Sequence, residues 1–516
     1  MDTTEALIVG AGPTGLMLAC QLARRGVMPL LIDRHAGPAR ETRALGVQAR
    51  TMEIYARLGV VDRALALGKR ARGVDLWADG RHTARVPLGD AGAELTPYPF
   101  VFILGQDDNE KLLGERLSEL GGAVRWNTEL VALEQQAQHV VATLKQPDGT
   151  TRLPRAAWVA GCDGARSAVR DLNGIGFPGA PYEHVFFVAD VQARGGMVAD
   201  EVNVYFWREG FHLFFPMRGD DHWRIVGIVP APLRGRDGLV FDDVLPSVQR
   251  QAGPQLQVQS CSWFSTYRIH HRAAERFRDR RCFLLGDAAH IHSPVGAQGM
   301  NTGLQDAYNL GWKLAAVLRG EAGDALLDSY AAERQPVAQR LLATTDRAFR
   351  LVVADNPLAG LLRTRVLARI AACAMRQPAI QRRAFRFVSQ IQIGYRGSTL
   401  SQALGPWPGA APQAGDRFPW LKLVFDAAGE LEDLFERLDD TRWTLLVFGQ
   451  RVPPTTLHVL AAAADARNEQ ALARARIPQP SFFALRPDGH IGLCGATLDN
   501  DTLGRYLVQC VGGRAG

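Results

Sequence analysis

Residues 6–15 read Ala-Leu-Ile-Val-Gly-Ala-Gly-Pro-Thr-Gly, and this stretch decides the fold of the 516-residue chain. An apolar run precedes glycines in the GxGxxG pattern, and apolar residues at helical spacing follow. A strand, loop and helix of this kind bind the diphosphate of a dinucleotide, because the helix start presents free backbone N–H groups. The pattern alone fits NAD and FAD equally. It predicts that the diphosphate contacts a loop made of Gly10, Gly12, Pro13, Thr14 and Gly15.

An acidic residue follows at the position that this unit requires. A second apolar run, residues 29–32, ends at Asp33, and Arg34 comes next. The carboxylate at the end of the second strand can accept hydrogen bonds from a ribose. We therefore predict that Asp33 and Arg34 contact the adenosine part of the cofactor.

Composition excludes several classes of protein. Hydrophobic residues make up 47% of the chain and charged residues 22%, which excludes disordered, collagen-like and coiled-coil chains. The length predicts two to four domains. The formal net charge is +6, but the basic residues are spread along the chain instead of clustering. A nucleic-acid partner is therefore not expected.

Cysteine usage and the N-terminal flank predict a cytoplasmic location. The seven cysteines include no Cys-x-x-Cys pair, so a disulfide framework is not expected. Residues 6–23 are uncharged, but Asp2 and Glu5 precede them and glycines interrupt them. Neither a secretory signal nor a membrane span is expected from this stretch.

The predicted secondary structure changes along the chain. Helices are predicted at residues 47–58 and 107–120. Beyond residue 176 five candidate strands follow in under a hundred residues, at 184–191, 202–207, 211–215, 223–229 and 258–269. They predict a sheet inserted into the α/β unit. The Pro/Gly-rich residues 405–409 predict a boundary before a separate small α/β domain.

Two later motifs distinguish FAD from NAD. Residues 161–170 read Gly-Cys-Asp-Gly-Ala-Arg-Ser-Ala-Val-Arg, and residues 285–307 begin Leu-Gly-Asp-Ala-Ala-His and continue to Gly-Met-Asn-Thr-Gly-Leu-Gln-Asp-Ala. With the N-terminal loop, they give the chain three motifs in the order found in one family. The chain resembles the FAD-dependent aromatic hydroxylases, which are single-component flavoprotein monooxygenases.

The resemblance implies an α/β architecture with a Rossmann-like FAD-binding domain. This domain would consist of residues 1–175 and, together with long helices, residues 271–400. A β-sheet substrate domain would occupy residues 176–270, and a thioredoxin-like domain residues 401–516. The C-terminal part has no Cys-x-x-Cys, so a structural or oligomer-contact role is expected there, compatible with a homodimer.

The resemblance also assigns residues to the cofactor. Asp287 would accept a hydrogen bond from a ribityl hydroxyl, and the Asp163-Gly164 pair would serve both FAD and NAD(P)H. The plain interpretation of Asp163 is a helix cap, and both roles are compatible. The loop before the next helix would meet the flavin ring through Pro294, Gly296, Gly299, Met300 and Asn301. Shorter matches add three FAD contacts at Arg43, Gln106 and Leu130.

The reaction implied is aromatic hydroxylation. NADPH or NADH would reduce FAD, and O2 would then form a C4a-hydroperoxyflavin that hydroxylates a phenolic or polycyclic substrate. Alternatives that keep the fold are a Baeyer–Villiger reaction and modification of an antibiotic-like compound. A flavin-binding protein without oxygenase activity, or a basic nucleic-acid binder, remains the alternative from another class.

The predicted substrate wall comes from the aromatic residues of the inserted sheet, since alternation turns about half of them to one face. It is assigned to Tyr205, Trp207 and Phe215, with Pro294 from the flavin loop. No catalytic base can be chosen among Tyr205, Arg208, His212, His222 and His270. A metal at His290 and His292 is not expected, because no further ligands have suitable spacing.

Overall fold

The computed structural model describes residues 2–39, 44–71, 73–78, 80–207, 210–292, 298–353, 377–426 and 429–511. Four residues named above, Arg43, Arg208, Pro294 and Gly296, lie outside the described residues. Within them, no helix is both long and apolar enough to cross a membrane.

Twenty strands are described before residue 300. They are β1 Thr3–Val9, β2 Leu30–Ile32, β3 Gly46–Val47, β4 Lys69–Ala71, β5 Gly73–Ala78, β6 Arg81–Pro87, β7 Val101–Ile103, β8 Val124–Arg125, β9 Glu129–Gln135, β10 Val140–Lys145, β11 Thr151–Arg152, β12 Arg155–Gly161, β13 Gly179–Arg194, β14 Val202–Trp207, β15 Gly210–Pro216, β16 His222–Ile228, β17 Gln257–Ala273, β18 Arg278–Asp279, β19 Cys282–Leu284 and β20 His290–Ile291. Those near the C-terminus are β21 Gln402–Leu404, β22 Lys422–Leu423, β23 Glu432–Asp433, β24 Thr444–Phe448, β25 His458–Ala461, β26 Ser481–Leu485 and β27 Ile491–Gly495.

The described residues also form thirteen α-helices. They are α1 Pro13–Ala23, α2 Ala49–Leu58, α3 Val61–Leu67, α4 Gly89–Gly92, α5 Gln106–Glu119, α6 Ala168–Leu172, α7 Phe241–Ala252, α8 Gly299–Leu318, α9 Asp328–Val353, α10 Pro378–Val388, α11 Leu434–Arg437, α12 Ala466–Arg474 and α13 Asn500–Val511. α1 begins at Pro13, whose fixed φ suits the first helical position. Gly59, with φ +77°, ends α2 in the left-handed conformation.

The first sheet carries the dinucleotide-binding unit. Four neighbouring strands run parallel in the spatial order β2-β1-β12-β19, and β8 extends the parallel part beyond β2. β10 pairs antiparallel with β12 and forms the hairpin with β11. Helices α1 and α8 pack together on this sheet around the main hydrophobic core. This is the α/β unit that the glycine loop predicts.

The second sheet has the order β20-β17-β13-β16-β15-β14-β5-β6. The five strands expected beyond residue 176 are all present as β13 to β17. β5 and β6, from residues 73–87, join the same sheet, because β5 pairs parallel with β14. These two strands were not predicted, because they come more than 100 residues before β14, the strand that they join. Helix α7 covers one face of this sheet.

The third sheet, in the order β21-β27-β26-β24-β25, forms the core of residues 402–511, here called the C-terminal unit. β24 and β26 pair antiparallel, whereas β24 and β25 pair parallel. Cys494 is buried in β27, and burial raises the pKa of its thiol to about 12. A protonated thiol in a packed core is a poor nucleophile for redox chemistry.

Candidate cofactor and substrate site

Four chemistry-bearing segments meet at one edge of the first sheet. Val9 of β1 lies opposite Ile32 of β2 and Gly161 of β12, and Gly161 lies opposite Leu284 of β19. The residues that directly follow these parallel strands therefore share one layer at the carboxyl edge. They are the glycine loop, Asp33, the Cys162-Asp163 segment and the Gly286-Asp287 turn. Ligands of open α/β sheets bind outside this edge.

The glycine loop is packed on one side and open on the other. A Cβ on Gly10, whose φ is +101°, would lie 2.4 Å from the carbonyl oxygen of Cys162. A Cβ on Gly15 would lie 1.9 Å from the carbonyl oxygen of Gly10. At Gly12 the nearest described atom is Glu110 Oε1, 4.0 Å away. Gly10 and Gly15 thus permit close packing, while Gly12 leaves open space where a phosphate can approach the backbone.

A cavity of about 680 Å³ lies against the open side of this loop. Its volume is in the range of small-molecule and cofactor sites. Several residues predicted to contact FAD line it together: Gly10, Gly12, Asp33, Arg34, Gln106, Leu130, Asp163 and Gly164. Pro13, Thr14 and Gly15 instead form the first turn of α1.

Asp33 links the cavity to the glycine loop. Its Oδ2 accepts a hydrogen bond from Ala11 N at 2.7 Å, and its Oδ1 accepts one from His35 N at 2.8 Å. Oδ1 also lies 2.8 Å from His35 Nδ1, whereas Oδ2 has a second lone pair that leaves acceptor capacity for a ribose hydroxyl. The carboxylate is therefore fixed in position at the cavity wall.

Glu110 is a cavity residue that was not predicted from the sequence. Its Oε2 accepts a hydrogen bond from Ala39 N at 2.9 Å, and its Oε1 accepts one from Gln106 Nε2 at 2.8 Å. Burial raises the pKa of the Glu110 carboxyl. Gln106 and Glu110 lie four residues apart on one face of α5. This spacing is the sequence signal from which Glu110 could have been predicted beside Gln106.

Asp163 caps the helix that follows it. One oxygen accepts a hydrogen bond from Ser167 Oγ at 2.5 Å, and the other accepts one from Val169 N at 3.1 Å. Ser167 is itself the N-cap of α6. Burial raises the pKa of the Asp163 carboxyl. Asp163 therefore caps α6 and also lines the cavity.

The third motif packs directly on α1. A Cβ on Gly286 would lie 2.7 Å from Thr14 Oγ1, and a Cβ on Gly303 would lie 2.5 Å from the same atom. Thr14 is therefore held between the turn at residue 286 and helix α8. The Asp287 side chain beside this turn is exposed, yet the surrounding protein withdraws enough water to raise the pKa of its carboxyl. It is available to a ligand at the sheet edge.

The start of α8 divides into open and occupied positions. A Cβ on Gly299 would meet no described atom within 4 Å, so this position can approach a flat ring. The side chain of Asn301 is instead fully buried, where it accepts hydrogen bonds from Gln48 N and Thr51 Oγ1. Met300 packs against the main core. Only the backbone of Asn301 is therefore left to serve the flavin.

His290 is part of a buried ion-pair group. Its Nε2 lies 2.7 Å from Asp306 Oδ2, and Asp306 Oδ1 accepts a hydrogen bond from Arg334 Nε at 2.6 Å. In the described part of the chain, no group of three or more His, Cys, Asp or Glu side chains could hold a metal ion. His290 thus has a structural partner in Asp306.

Strand register separates the predicted substrate residues. Tyr205 lies opposite His212, and Phe206 lies opposite Phe211. Tyr205 packs in the core under α7. Trp207, two residues on, points to the same face, and its ring contacts the His212 ring in a tilted arrangement. Phe215 faces the other way. The structure therefore does not bring Tyr205 and Trp207 together with Phe215, because neighbouring residues of a strand point to opposite faces.

The opposite face of the second sheet is apolar and only half covered. Phe215 packs there with Leu45 and Ile103 of the dinucleotide-binding part. We call this the open face; its half-buried members include Phe206, Leu213, Phe215, Met217 and Tyr267. Period-two alternation in β14 and β15 would have grouped Phe215 with Phe206 and Leu213 on one face, instead of with Tyr205 and Trp207.

The histidines named as base candidates differ in their surroundings. His212 is fully buried, neither ring nitrogen has a hydrogen-bond partner among the described residues, and burial lowers its pKa from 6.5 to about 3. His270 lies at the far end of β17, where burial lowers its pKa. His222 is half-buried at the start of β16, with Nδ1 3.0 Å from the carbonyl oxygen of Arg218. By strand alternation His222 lies on the same side of β16 as Arg224, whereas His212 lies on the face covered by α7.

Replacing His212 with Leu should stabilise the protein against acid. Folded His212 stays neutral, whereas His212 of the unfolded chain gains a proton below pH 6.5. The contribution of His212 to the free energy of unfolding is therefore highest above pH 6.5 and decreases as pH falls toward 3. Between pH 7 and pH 5 the wild type should lose about 2 kcal/mol that the variant keeps. Urea unfolding at the two pH values measures this difference. Equal losses in both proteins would contradict it.

Comparisons with known proteins identify the family. A family model described as an FAD binding domain matches residues 3–345. The chain belongs to this FAD-binding family. The 6-methylpretetramide 4-monooxygenase of Streptomyces rimosus is 35% identical over 87% of this chain and 80% of its own length. The pentachlorophenol 4-monooxygenase of Sphingobium chlorophenolicum is 33% identical over 94% of this chain and 85% of its own.

A solved structure agrees with these relatives over the full length. The aklavinone-11 hydroxylase, solved in a ternary complex with FAD and aklavinone, is 26% identical, covers 99% of each chain and has a TM-score of 0.78. The protein is thus an FAD-dependent monooxygenase of the aromatic hydroxylase family. The resemblance stated from three motifs is confirmed, and so is FAD as the cofactor.

The residues present fit an FAD. The open space at Gly12 suits a diphosphate, and Asp33 retains acceptor capacity beside it. At the other end of the sheet edge, exposed Asp287 and the free space at Gly299 suit the flavin half. These positions extend across the carboxyl ends of four strands, which is the extended path that a dinucleotide requires.

Proposed function

We propose that this monooxygenase consumes NADH or NADPH together with O2 to hydroxylate a phenolic, polycyclic aromatic compound. The observation that carries the proposal is the position of the open face. An apolar sheet surface lies beside the part of the chain whose strand ends form the FAD site. The relatives that act on a pretetramide and on aklavinone support a polycyclic substrate.

The protein's own residues bind and orient the reactants. A bound FAD supplies hydride acceptance and the activation of O2. The free N–H groups at the start of α1 would hold the diphosphate, Asp33 would accept a hydrogen bond from the adenosine ribose, and Asp287 would accept one from the ribityl chain. The apolar side chains of the open face exclude water, which protects a reactive oxygen species from wasteful decay.

The length of the open face favours a substrate larger than one ring. Phe211 and Phe215 lie on the same side of β15, four residues apart, and this separation is about 14 Å along a strand. An ion pair marks one end of the face, since Arg224 lies opposite Phe215 and its Nε is 2.5 Å from Asp190 Oδ1. Polar groups of a polycyclic phenol could be recognised there.

The test is NADH and NADPH oxidation by the purified yellow protein across a panel of phenols and polycyclic phenols, with mass spectrometry of the products. We expect oxidation to accelerate with a polycyclic phenol and the product to gain one oxygen atom on the ring. Oxygen inserted beside a ketone would instead identify a Baeyer–Villiger reaction. Oxidation at one unchanging rate, with no product from any compound, would refute the proposal.

The proposal extends to the setting of the enzyme. A cytoplasmic location suits NAD(P)H consumption and the six described cysteines, which are all free thiols. We propose a small-molecule substrate with no nucleic-acid partner, a homodimer as the assembly, and the four-part division at residues 175, 270 and 400, with residues 73–87 added to the second part through its sheet. Gel filtration with light scattering tests the dimer.

Replacing Asp287 with Ala should weaken FAD binding. The exposed carboxylate offers a charged acceptor to a ribityl hydroxyl, and losing such a bond costs about 1.5–3 kcal/mol, or about 10- to 100-fold in the dissociation constant of FAD. Flavin fluorescence during FAD titration measures it. The matched control is Asp237→Ala, at an exposed loop position of the second sheet. A variant that holds FAD as tightly as the control would refute this role.

A further inference from the structure

The turn that carries Asp287 is tied down by a buried carboxylate. Asp306 on α8 is fully buried, and its Oδ2 accepts a hydrogen bond from Gly286 N at 3.0 Å. The same oxygen lies 2.7 Å from His290 Nε2. Asp306 therefore holds both ends of the segment from residue 286 to residue 290. Asp287 lies between these anchors, so its position depends on where Asp306 lies.

Arg334 fixes Asp306 from the side of α9. Its Nε donates to Asp306 Oδ1 at 2.6 Å, and its Nη2 donates to the carbonyl oxygen of Thr302 at 3.1 Å. The third branch, Nη1, donates to the phenol oxygen of Tyr395 at 3.0 Å. Arg334 is fully buried, so each of its three contacts constrains a rigid guanidinium plane.

Tyr395 is the point where this chain of contacts reaches the C-terminal unit. Its backbone N–H donates to the carbonyl oxygen of Gly415 at 2.7 Å. Its ring packs against His490 in a tilted arrangement, with ring centroids 4.4 Å apart. The guanidinium of Arg486 lies 5.3 Å from the ring centroid of Tyr395. The C-terminal unit therefore sets the position of the Tyr395 phenol.

A second contact reinforces the same connection. Glu333, the residue before Arg334 on α9, accepts hydrogen bonds from both terminal nitrogens of Arg486, at 2.6 and 2.9 Å. Two adjacent residues of α9 thus make separate contacts: Glu333 binds Arg486 of the C-terminal unit, and Arg334 binds Asp306. Movement of the turn at residue 486 would shift the helix segment that carries Arg334.

We propose that Tyr395 is a positioning residue through which the C-terminal unit holds Asp287 in place and slows the loss of FAD. The route runs from His490 through Tyr395, Arg334 and Asp306 to the Gly286 turn. None of these route residues belongs to the open face. The inference depends on FAD binding and not on the proposed reaction.

The test follows the release of FAD from the purified full-length holoenzyme, as the rise in flavin fluorescence after dilution at 15 °C. Tyr395→Phe keeps the ring on His490 but removes the acceptor of Arg334 Nη1. We expect FAD to dissociate at least about 5-fold faster, the lower end of ordinary coupling between sites. His490→Leu, which removes the ring packed against Tyr395, should also accelerate release.

The control joins the same two parts of the chain at the surface. Arg474 of the C-terminal unit pairs with Glu94 at 3.3 Å, and both side chains are exposed. Arg474→Ala should release FAD at the wild-type rate. A purely stabilising role for the C-terminal unit would lower the melting temperature of Tyr395→Phe and leave FAD release at 15 °C unchanged. That result, or equal acceleration in Arg474→Ala, overturns the proposal, whichever substrate is hydroxylated.

Discussion

The Gly12→Val variant should fold normally and bind FAD at least about 100-fold more weakly, a loss of about 3 kcal/mol. Gly12 has φ −70° and ψ −177°, a conformation open to any residue. The nearest described atom to an added Cβ is 4.0 Å away, so the fold has room for it. The added methyl groups would instead occupy the space where the diphosphate approaches the loop.

Circular dichroism and FAD titration of the purified variant separate these two effects. Gly114→Val on α5 is the matched control, because a Cβ there also meets nothing within 4 Å but lies away from the loop. We expect native-like spectra for both variants and weakened FAD binding for Gly12→Val alone. Gly15→Val should instead disturb folding, since its Cβ would collide with the Gly10 carbonyl. Tight FAD binding by Gly12→Val would place the diphosphate elsewhere.

The parts of the site predicted from sequence are those set by local backbone rules. The glycine loop, Asp33 and the Asp163 turn follow directly from strand ends that the sequence marks, and parallel strands bring such ends together. Glu110 was missed because its place at the cavity depends on how α5 packs. Asn301 matches a family motif, yet its side chain is used to hold residues 46–51. A sequence motif therefore predicts where the backbone lies better than it predicts which contacts each side chain makes.

The fold shows the same division between local and distant information. The strands at 202–207 and 211–215 are present within a residue of the expected bounds, because their alternation is a local signal. The joining of β5 to β14 crosses more than 100 residues and leaves no local pattern. Tyr205 was wrongly grouped with Phe215 on one face for a similar reason. Its face was set by register against β15 and by the helix that covers it, neither of which composition reveals.

The Arg486→Met variant should lose about 3–5 kcal/mol of stability, because it leaves buried acids without their cation. Arg486 is fully buried between Glu333 and Asp488, and Lys313 shares Glu333 at 2.7 Å. These charges hold the pKa of the Glu333 and Asp488 carboxyls below their usual range, so both stay ionised at neutral pH. Urea unfolding followed by tryptophan fluorescence measures the loss.

A second substitution shows whether unpaired charge is the cause. Without Arg486, the group holds two carboxylates and one lysine, so adding Asp488→Asn restores a balanced pair of Glu333 and Lys313. The double variant should therefore recover part of the lost stability. The matched control Arg396→Met breaks an exposed pair with Asp416 and should cost less than about 1 kcal/mol. If Arg486→Met costs no more than this control, or if Asp488→Asn deepens the loss, then packing and not charge balance joins the C-terminal unit to the FAD-binding part.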